Sequence, residues 1–242
     1  MENTTYCNNV ITNKKKVRED LIKVAPSILA ADFANLGEEV EKVVLAGADM
    51  IHVDVMDGHF VPNISIGPCV VKSLRKVTEA FLDVHLMIES PEKYIDDFIS
   101  AGADGLTIHY ESFYDLQQMK EVLLKIKSTG KKAAIAFNPD IDSEMLLRVV
   151  ENTAENIDMV LMMSVYPGFG GQSFIKDVLE NIRRLKERKE KVKYKFLIQT
   201  DGGINAETAG EAVKSGVDVL VAGTYVFGAA DVEAAIKVLK GI

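Results

Sequence analysis

From residue 24 onward the chain repeats one unit: a short apolar run rich in β-branched residues, a polar turn, an amphipathic stretch, then another apolar run. That alternation limits the fold more than any other feature. Strands that recur with helices between them bury both faces when they line up in parallel under those helices. The candidate strands are VAPSI (24–28), MIHVDV (50–55), FLDVHLM (81–87), GLTIHY (105–110), KAAIAF (132–137), DMVLMMS (158–164), KFLIQT (195–200) and DVLVAG (218–223). Between them lie helix-period segments such as FANLGEEVEKVVLAG and SFIKDVLENIRRLKERKE. Eight strands in 242 residues fit an α/β protein closed into a (β/α)8 barrel, with an open doubly wound sheet as the alternative.

An internal echo favours the cyclic arrangement. AGAD ends at Asp49 and again at Asp104, and SGVD ends at Asp218, each between a helix and the next strand. There the glycine can take the left-handed conformation that closes a helix. No linker-like change of composition follows residue 24, so residues 21–242 read as one barrel domain. Residues 1–20 are polar and charged, without the apolar stretch of a secretory signal, and read as a loose extension.

Acidic residues outnumber basic ones, 36 to 28, for a net charge of -8. Nucleic acid and anionic membranes call for a basic face, so neither is an expected partner. A small anionic substrate remains compatible, because backbone amides can hold it locally. No apolar run is long enough to span a bilayer. The two cysteines, Cys7 and Cys69, lack metal-type spacing and read as free thiols of a reducing, cytoplasmic compartment.

Strands buried on both faces should be almost wholly apolar. Here they are not. By the period-two rule His52, Asp54 and Met56 share a face, as do Asp83, His85 and Met87 on the next strand. His109 and Glu111 share a face after the fourth strand, and Asp201 follows the seventh. These groups gather toward the C-terminal strand ends, where barrel enzymes keep their chemistry. Two imidazoles and two carboxylates at one end suit a borderline divalent ion such as Zn²⁺ or Fe²⁺; a purely hydrogen-bonded cluster is the alternative. Asp83 has the parity to lie one layer below His85 and fix its ring tautomer, or else to pair with a lysine or backbone amide.

Glycine marks a second constellation. YPGFGGQSF, DGGIN and AGTYVFG follow the sixth, seventh and eighth strands. Loops at that end of a barrel often bind phosphate, and glycine lets backbone N–H groups approach the anion. Met56, Met87 and Met163 stand at strand ends, either as core filler or as an apolar lining over a reacting carbon.

In order along the chain, APSILAADFANL, HVDVMDGHFVPN, DVHLM, PGFGGQSF, DGGIN and VAGTYVFG resemble the ribulose-phosphate 3-epimerase family. The resemblance implies a TIM barrel with one divalent metal ion per subunit, Zn²⁺ or Fe²⁺ with Mn²⁺ or Co²⁺ as substitutes. It implies His52, Asp54, His85 and Asp201 as ligands and Asp54 and Asp201 as the acid/base pair. Ser27, His52, His85, Asp201, Gly168, Phe169, Gly170, Gly171, Gly202, Gly203, Gly223 and Thr224 match its substrate-binding positions. Met56, Met87 and Met163 match its methionine cap. It further implies a homo-oligomer acting on a small ketose phosphate. The chain departs from the family pattern at Tyr166, where Asn is usual, at Thr200, at Thr224 and at Tyr225. The two tyrosines are expected to reshape the mouth of the site.

Epimerisation next to a ketone needs a C–H proton removed from one face and returned to the other, with the enediolate charge held between. Asp54 and Asp201, from opposite sides of an eight-stranded ring, fit that demand. The rival readings are the same chemistry on a ketohexose phosphate such as D-allulose 6-phosphate, a zinc-dependent aldolase, and a barrel that binds sugar phosphates without catalysis.

Overall fold

The computed structural model describes residues 22–241. The expected extension over residues 1–20, and Cys7 with it, lies outside them. Eight strands form one sheet: β1 (Lys23–Pro26), β2 (Met50–Met56), β3 (Phe81–Met87), β4 (Gly105–His109), β5 (Lys132–Phe137), β6 (Met159–Met163), β7 (Leu197–Asp201) and β8 (Val219–Ala222). All neighbouring strands pair in parallel, β2 to β8 in sequence order and then β8 to β1. At the remaining seam Ser27 bridges His52, so the sheet closes as a (β/α)8 barrel.

The helices are α1 (Leu36–Leu45), α2 (Pro68–Leu74), α3 (Ile95–Ala101), α4 (Leu116–Ser128), α5 (Ser143–Thr153), α6 (Val178–Val192), α7 (Ala206–Ser215), the short α8 (Thr224–Phe227) and α9 (Val232–Lys240). Their apolar stripes pack on the outward strand residues in one continuous core that includes Val53, Val84, Ile108, Ile135 and Ile198. Each such side chain contributes about 1.5–3 kcal/mol by leaving water. Inside the barrel, Ala25, Met50, Ala134, Met159 and Val219 make a separate apolar plug toward the N-terminal end. The polar residues stand above that plug.

The echo read from the sequence has a structural counterpart. Gly47, Gly102 and Gly216 all have φ between 97° and 114°, the left-handed region, and follow α1, α3 and α7. The aspartate two residues on in each case is a strand clamp. Asp49 N–H donates to the Val24 carbonyl at 2.9 Å while its carboxylate accepts from Val24 N–H at 2.8 Å. Asp104 treats Leu82 in the same way, Asp158 treats Ala133, and Asp218 treats Ile198. Each clamp joins an odd strand to the next even one. Each aspartate also holds a cation: Lys240, Arg75, Lys127 and Lys189 respectively. The first clamp ties β1 to β2 at the bottom of the seam that Ser27 closes higher up.

β3 and β5 have the expected limits, and other strands differ by one or two residues. β1 stops at Pro26 because Ser27 turns the chain: its hydroxyl accepts from Leu29 N–H and caps a 3-10 turn over Ile28–Ala30. The expected helix from residue 173 begins only at Val178, because Ile175 N–H is drawn to the Ser164 carbonyl at 2.8 Å and the preceding segment is held as a loop.

Candidate metal and sugar-phosphate site

The period-two rule aims His52 and Asp54 of β2, His85 of β3 and Asp201 of β7 into the barrel. His52 and His85 are wholly buried, Asp54 nearly so, and Asp201 is partly exposed toward the mouth. Ser27 reaches over from β1, and its hydroxyl donates to Asp54 Oδ2. His52 Nε2 lies 3.2 Å from Asp54 Oδ1 and 3.3 Å from His85 Nδ1. His85 Nδ1 lies 3.2 Å from the same Asp54 oxygen, and Asp201 Oδ2 is 3.9 Å from His52 Nε2.

One ligand atom from each of these four residues falls within 4.8 Å of the others. Donors around one tetrahedral ion at about 2.1 Å stand roughly 3.4 Å apart, which three of the spacings approach. The donor chemistry agrees. His52 Nδ1 is 2.8 Å from Asp83 Oδ2, an acceptor, so that nitrogen carries a proton, and in the neutral ring that a cation would select, Nε2 turns a lone pair inward. Two ring nitrogens and two carboxylates then converge, a donor set that suits a divalent cation.

The electrostatics are uneven. Burial opposes charge on His52, but Asp54 and Asp83 outweigh it and raise its pKa well above the ordinary imidazole value. Burial would raise Asp54 too, but His52 and His85 hold it far below the carboxylate range. Burial brings His85 down to about 4, opposed by its hydrogen bond to Asp54. Asp201 is pushed up to about 7 by burial and by the charge of Asp54. One carboxyl favours the ionised form and its neighbour the protonated form.

Above these groups opens a cavity of about 620 Å³. Met56, Met87 and Met163 line it, each no more than 5% exposed. Ser27, Gly168, Phe169, Gly170 and Gly171 line it, as do Gly202, Gly203, Gly223 and Thr224. Gly203 has φ 64°, and a Cβ there would stand 2.5 Å from the Phe174 backbone nitrogen, so only glycine serves. The N-terminus of α7 is capped by its own Asn205, whose side chain accepts from Glu207 and Thr208. α8 begins at Thr224 after the N-cap Gly223, which makes no side-chain cap, and Gly223, Thr224 and Tyr225 all line the cavity.

The profile described as the ribulose-phosphate 3 epimerase family matches residues 23–227. The chain belongs to that family. It is 49% identical to the ribulose-phosphate 3-epimerase of Bacillus subtilis (strain 168), over 91% of this chain and 99% of that protein. It is 47% identical to the chloroplastic ribulose-5-phosphate-3-epimerase of Arabidopsis thaliana, over 92% of this chain and 77% of that one. Family membership makes the chain an enzyme of the isomerase class. The 3-hexulose-6-phosphate synthase of Salmonella typhimurium superposes with a TM-score of 0.67 at 19% identity, covering 91% of this chain and 97% of that one, and shares the fold.

Two readings of the epimerase-family sequence need correction. Asp83 serves His52, not His85. Residues two apart on one strand are stacked roughly 6.6 Å apart, whereas Asp83 and His52 are direct register partners on adjacent strands. Tyr225 lines the cavity, but Tyr166 is not among its lining residues. Tyr166 is half exposed, its phenol raised by partial burial and by the nearby Asp140 carboxylate. Thr200 faces out of the barrel as expected and donates to the Met162 carbonyl.

Other residues went unassigned in the sequence. Gln199, two before Asp201 and so on its face, donates to Asp83 at 2.8 Å. Asn63 donates to the Gly168 carbonyl at 2.7 Å and fastens the loop after β2 to the glycine loop after β6. Lys176 lines the cavity. The parity count could have found Gln199. No local pattern announces the other two.

Proposed function

We propose that the enzyme interconverts D-ribulose 5-phosphate and D-xylulose 5-phosphate by inverting C3 through an enediolate, with Asp54 and Asp201 as its two acid/base groups. The observation that carries this reading is the convergence of two carboxylates from different sides of the barrel, Asp54 of β2 and Asp201 of β7, in one donor cluster within 4.8 Å, and their opposed protonation preferences agree with it. Pairs pushed apart in this way divide the roles of base and acid. The Asp54 carboxylate takes the C3 proton, and the protonated Asp201 carboxyl delivers one to the opposite face of C3. In the reverse direction the roles exchange.

A divalent cation held by His52 Nε2, Asp54, His85 Nδ1 and Asp201 would supply Lewis-acid stabilisation of the oxyanion charge. The Ser27 hydroxyl fixes the Asp54 carboxylate, and Asp83 fixes the His52 ring. Met56, Met87 and Met163 keep water from the enediolate. Backbone amides of Gly202, Gly203, Gly223 and Thr224 and of the Gly168–Gly171 turn hold the phosphate, whose binding energy orients C3.

A homo-oligomer in the cytoplasm completes the proposal. Among the described residues no helix is long and apolar enough to cross a membrane, and Cys69 is a free, exposed thiol.

The test joins metal analysis of purified protein to epimerase assays on ribulose 5-phosphate and a six-carbon ketose phosphate, with solvent deuterium uptake at C3. Asp54→Asn and Asp201→Asn should each lower turnover by about 10²–10⁴-fold. Near-parental turnover in either variant with stoichiometric metal defeats the two-base scheme. A higher kcat/KM on the six-carbon sugar reassigns the substrate.

A further inference from the structure

Behind His85 a second hydrogen-bonded chain runs away from the metal cluster. His85 Nε2 lies 2.9 Å from His109 Nε2, with the two ring planes 19° apart. His109 is wholly buried, with Phe60 against it at 4.9 Å between ring centroids. His109 Nδ1 lies 3.1 Å from Glu111 Oε2, and Glu111 Oε1 accepts the backbone N–H of Asn138 at 2.8 Å.

Proton counting gives this chain one direction. Two ring nitrogens 2.9 Å apart share one hydrogen. Both Glu111 oxygens are acceptors, so the proton between Glu111 and His109 belongs to His109 Nδ1. With the His109 ring neutral, its Nε2 is a lone pair and must accept, and the shared hydrogen sits on His85 Nε2. His85 Nδ1 is left unprotonated where it faces Asp54 and His52.

We infer that His109 and Glu111 are positioning residues that hold His85 in the one tautomer able to offer Nδ1 to the cation. The inference rests on the metal reading above. It makes the two histidine ligands mirror cases: His52 is set through Nδ1 by a carboxylate in direct contact, and His85 through Nε2 by a carboxylate one imidazole further away.

Glu111→Gln separates this role from packing. The glutamine fills the same space, but its single oxygen is claimed by Asn138 N–H and its amide donates to His109 Nδ1. His109 then carries its proton on Nε2, and His85 is driven to the Nδ1–H form that cannot bind metal there. The experiment titrates chelator-stripped protein with Zn²⁺ against a competing chelator. It also reads the His85 tautomer by long-range ¹⁵N correlation in the Zn²⁺-free protein.

Glu111→Gln and His109→Leu should each weaken Zn²⁺ binding by about 10–100-fold. In Glu111→Gln the His85 proton should move from Nε2 to Nδ1. His109→Gln, whose oxygen can accept from His85 while its amide donates to Glu111, should recover most of the affinity. Zn²⁺ affinity in Glu111→Gln within twofold of the parent, or an unmoved His85 proton, overturns the inference and leaves the metal reading standing. A parent protein that takes up no Zn²⁺ overturns both. If His109→Leu does not fold, Glu111→Gln decides alone.

Discussion

Asp83 Oδ2 lies 2.8 Å from His52 Nδ1 and also accepts from Gln199 Nε2 at 2.8 Å, wholly inside the barrel. One oxygen from β3 thus ties β2 to β7, the two strands that carry Asp54 and Asp201. Replacing Asp83 by Leu leaves the His52 proton without an acceptor and lets the ring turn its lone pair outward. Metal affinity should fall about 10–100-fold, while Asp83→Asn, whose oxygen can still accept, loses far less. Equal Zn²⁺ affinities in Asp83→Leu and the parent would refute the orienting role.

The sequence told which residues face the barrel interior but not which of them meet. Parity set His52, Asp54, His85 and Asp201 on inward faces, and strand order brought three strands to one mouth. Partnership depends on stagger, which period two does not encode. Asp83 therefore looked like a neighbour of His85 until the register paired it with His52. His109 is harder still. The register partner of His85 is Thr107, and His109 meets His85 through the tilt of β4 across β3. The four aspartate clamps were legible in part, since the Gly-x-Asp echo marks three and Asp158 follows no glycine.

The clamps sit at the N-terminal face, away from the cavity. Asp104 takes Leu82 N–H at 3.0 Å and Arg75 at 2.6 Å. Asp104→Ala leaves the Leu82 N–H and the guanidinium without that partner, a loss of about 1–3 kcal/mol. Denaturant unfolding should show the loss, with kcat and KM at parental values. A changed kcat would mean the clamp reaches the site.

Gly203→Ala must displace the Phe174 backbone, because the added carbon would lie 2.5 Å from its nitrogen. That moves two walls of the phosphate end together. KM for the sugar phosphate should rise at least tenfold, by the arithmetic that 1.4 kcal/mol is a factor of ten. Zn²⁺ binding should be unchanged, since no ligand is touched. Parental KM would remove the glycine turns from phosphate binding.

Lys176 is the one cationic side chain among the described residues lining the cavity, and it is paired to Glu211 at 2.7 Å on the rim. In a chain of net charge -8 it gives a dianionic substrate a local attractor. Lys176→Met should raise KM several-fold with kcat unchanged and should flatten the salt dependence of kcat/KM. An unaltered salt dependence would assign the lysine to the ion pair alone.

The shifted groups of the cluster also fix how stability of the chelator-stripped protein depends on pH. Asp201 rises from 3.8 to about 7 on folding, so across that interval the folded state keeps a proton the unfolded chain releases, and stability falls as pH rises. His85 drops from 6.5 to about 4, so between those values the unfolded chain binds the extra proton and stability rises with pH. The two oppose each other below pH 6.5. Above it His85 contributes no slope, while His52, raised above 6.5, loses its stabilising charge as pH climbs through its folded pKa. Tm should therefore decline from pH 6.5 to 8. Asp201→Asn should make that decline shallower, and saturating Zn²⁺, which replaces the protons of the cluster, should reverse it. A flat Tm over that interval in the stripped parent would show that the cluster does not hold its protons in this way.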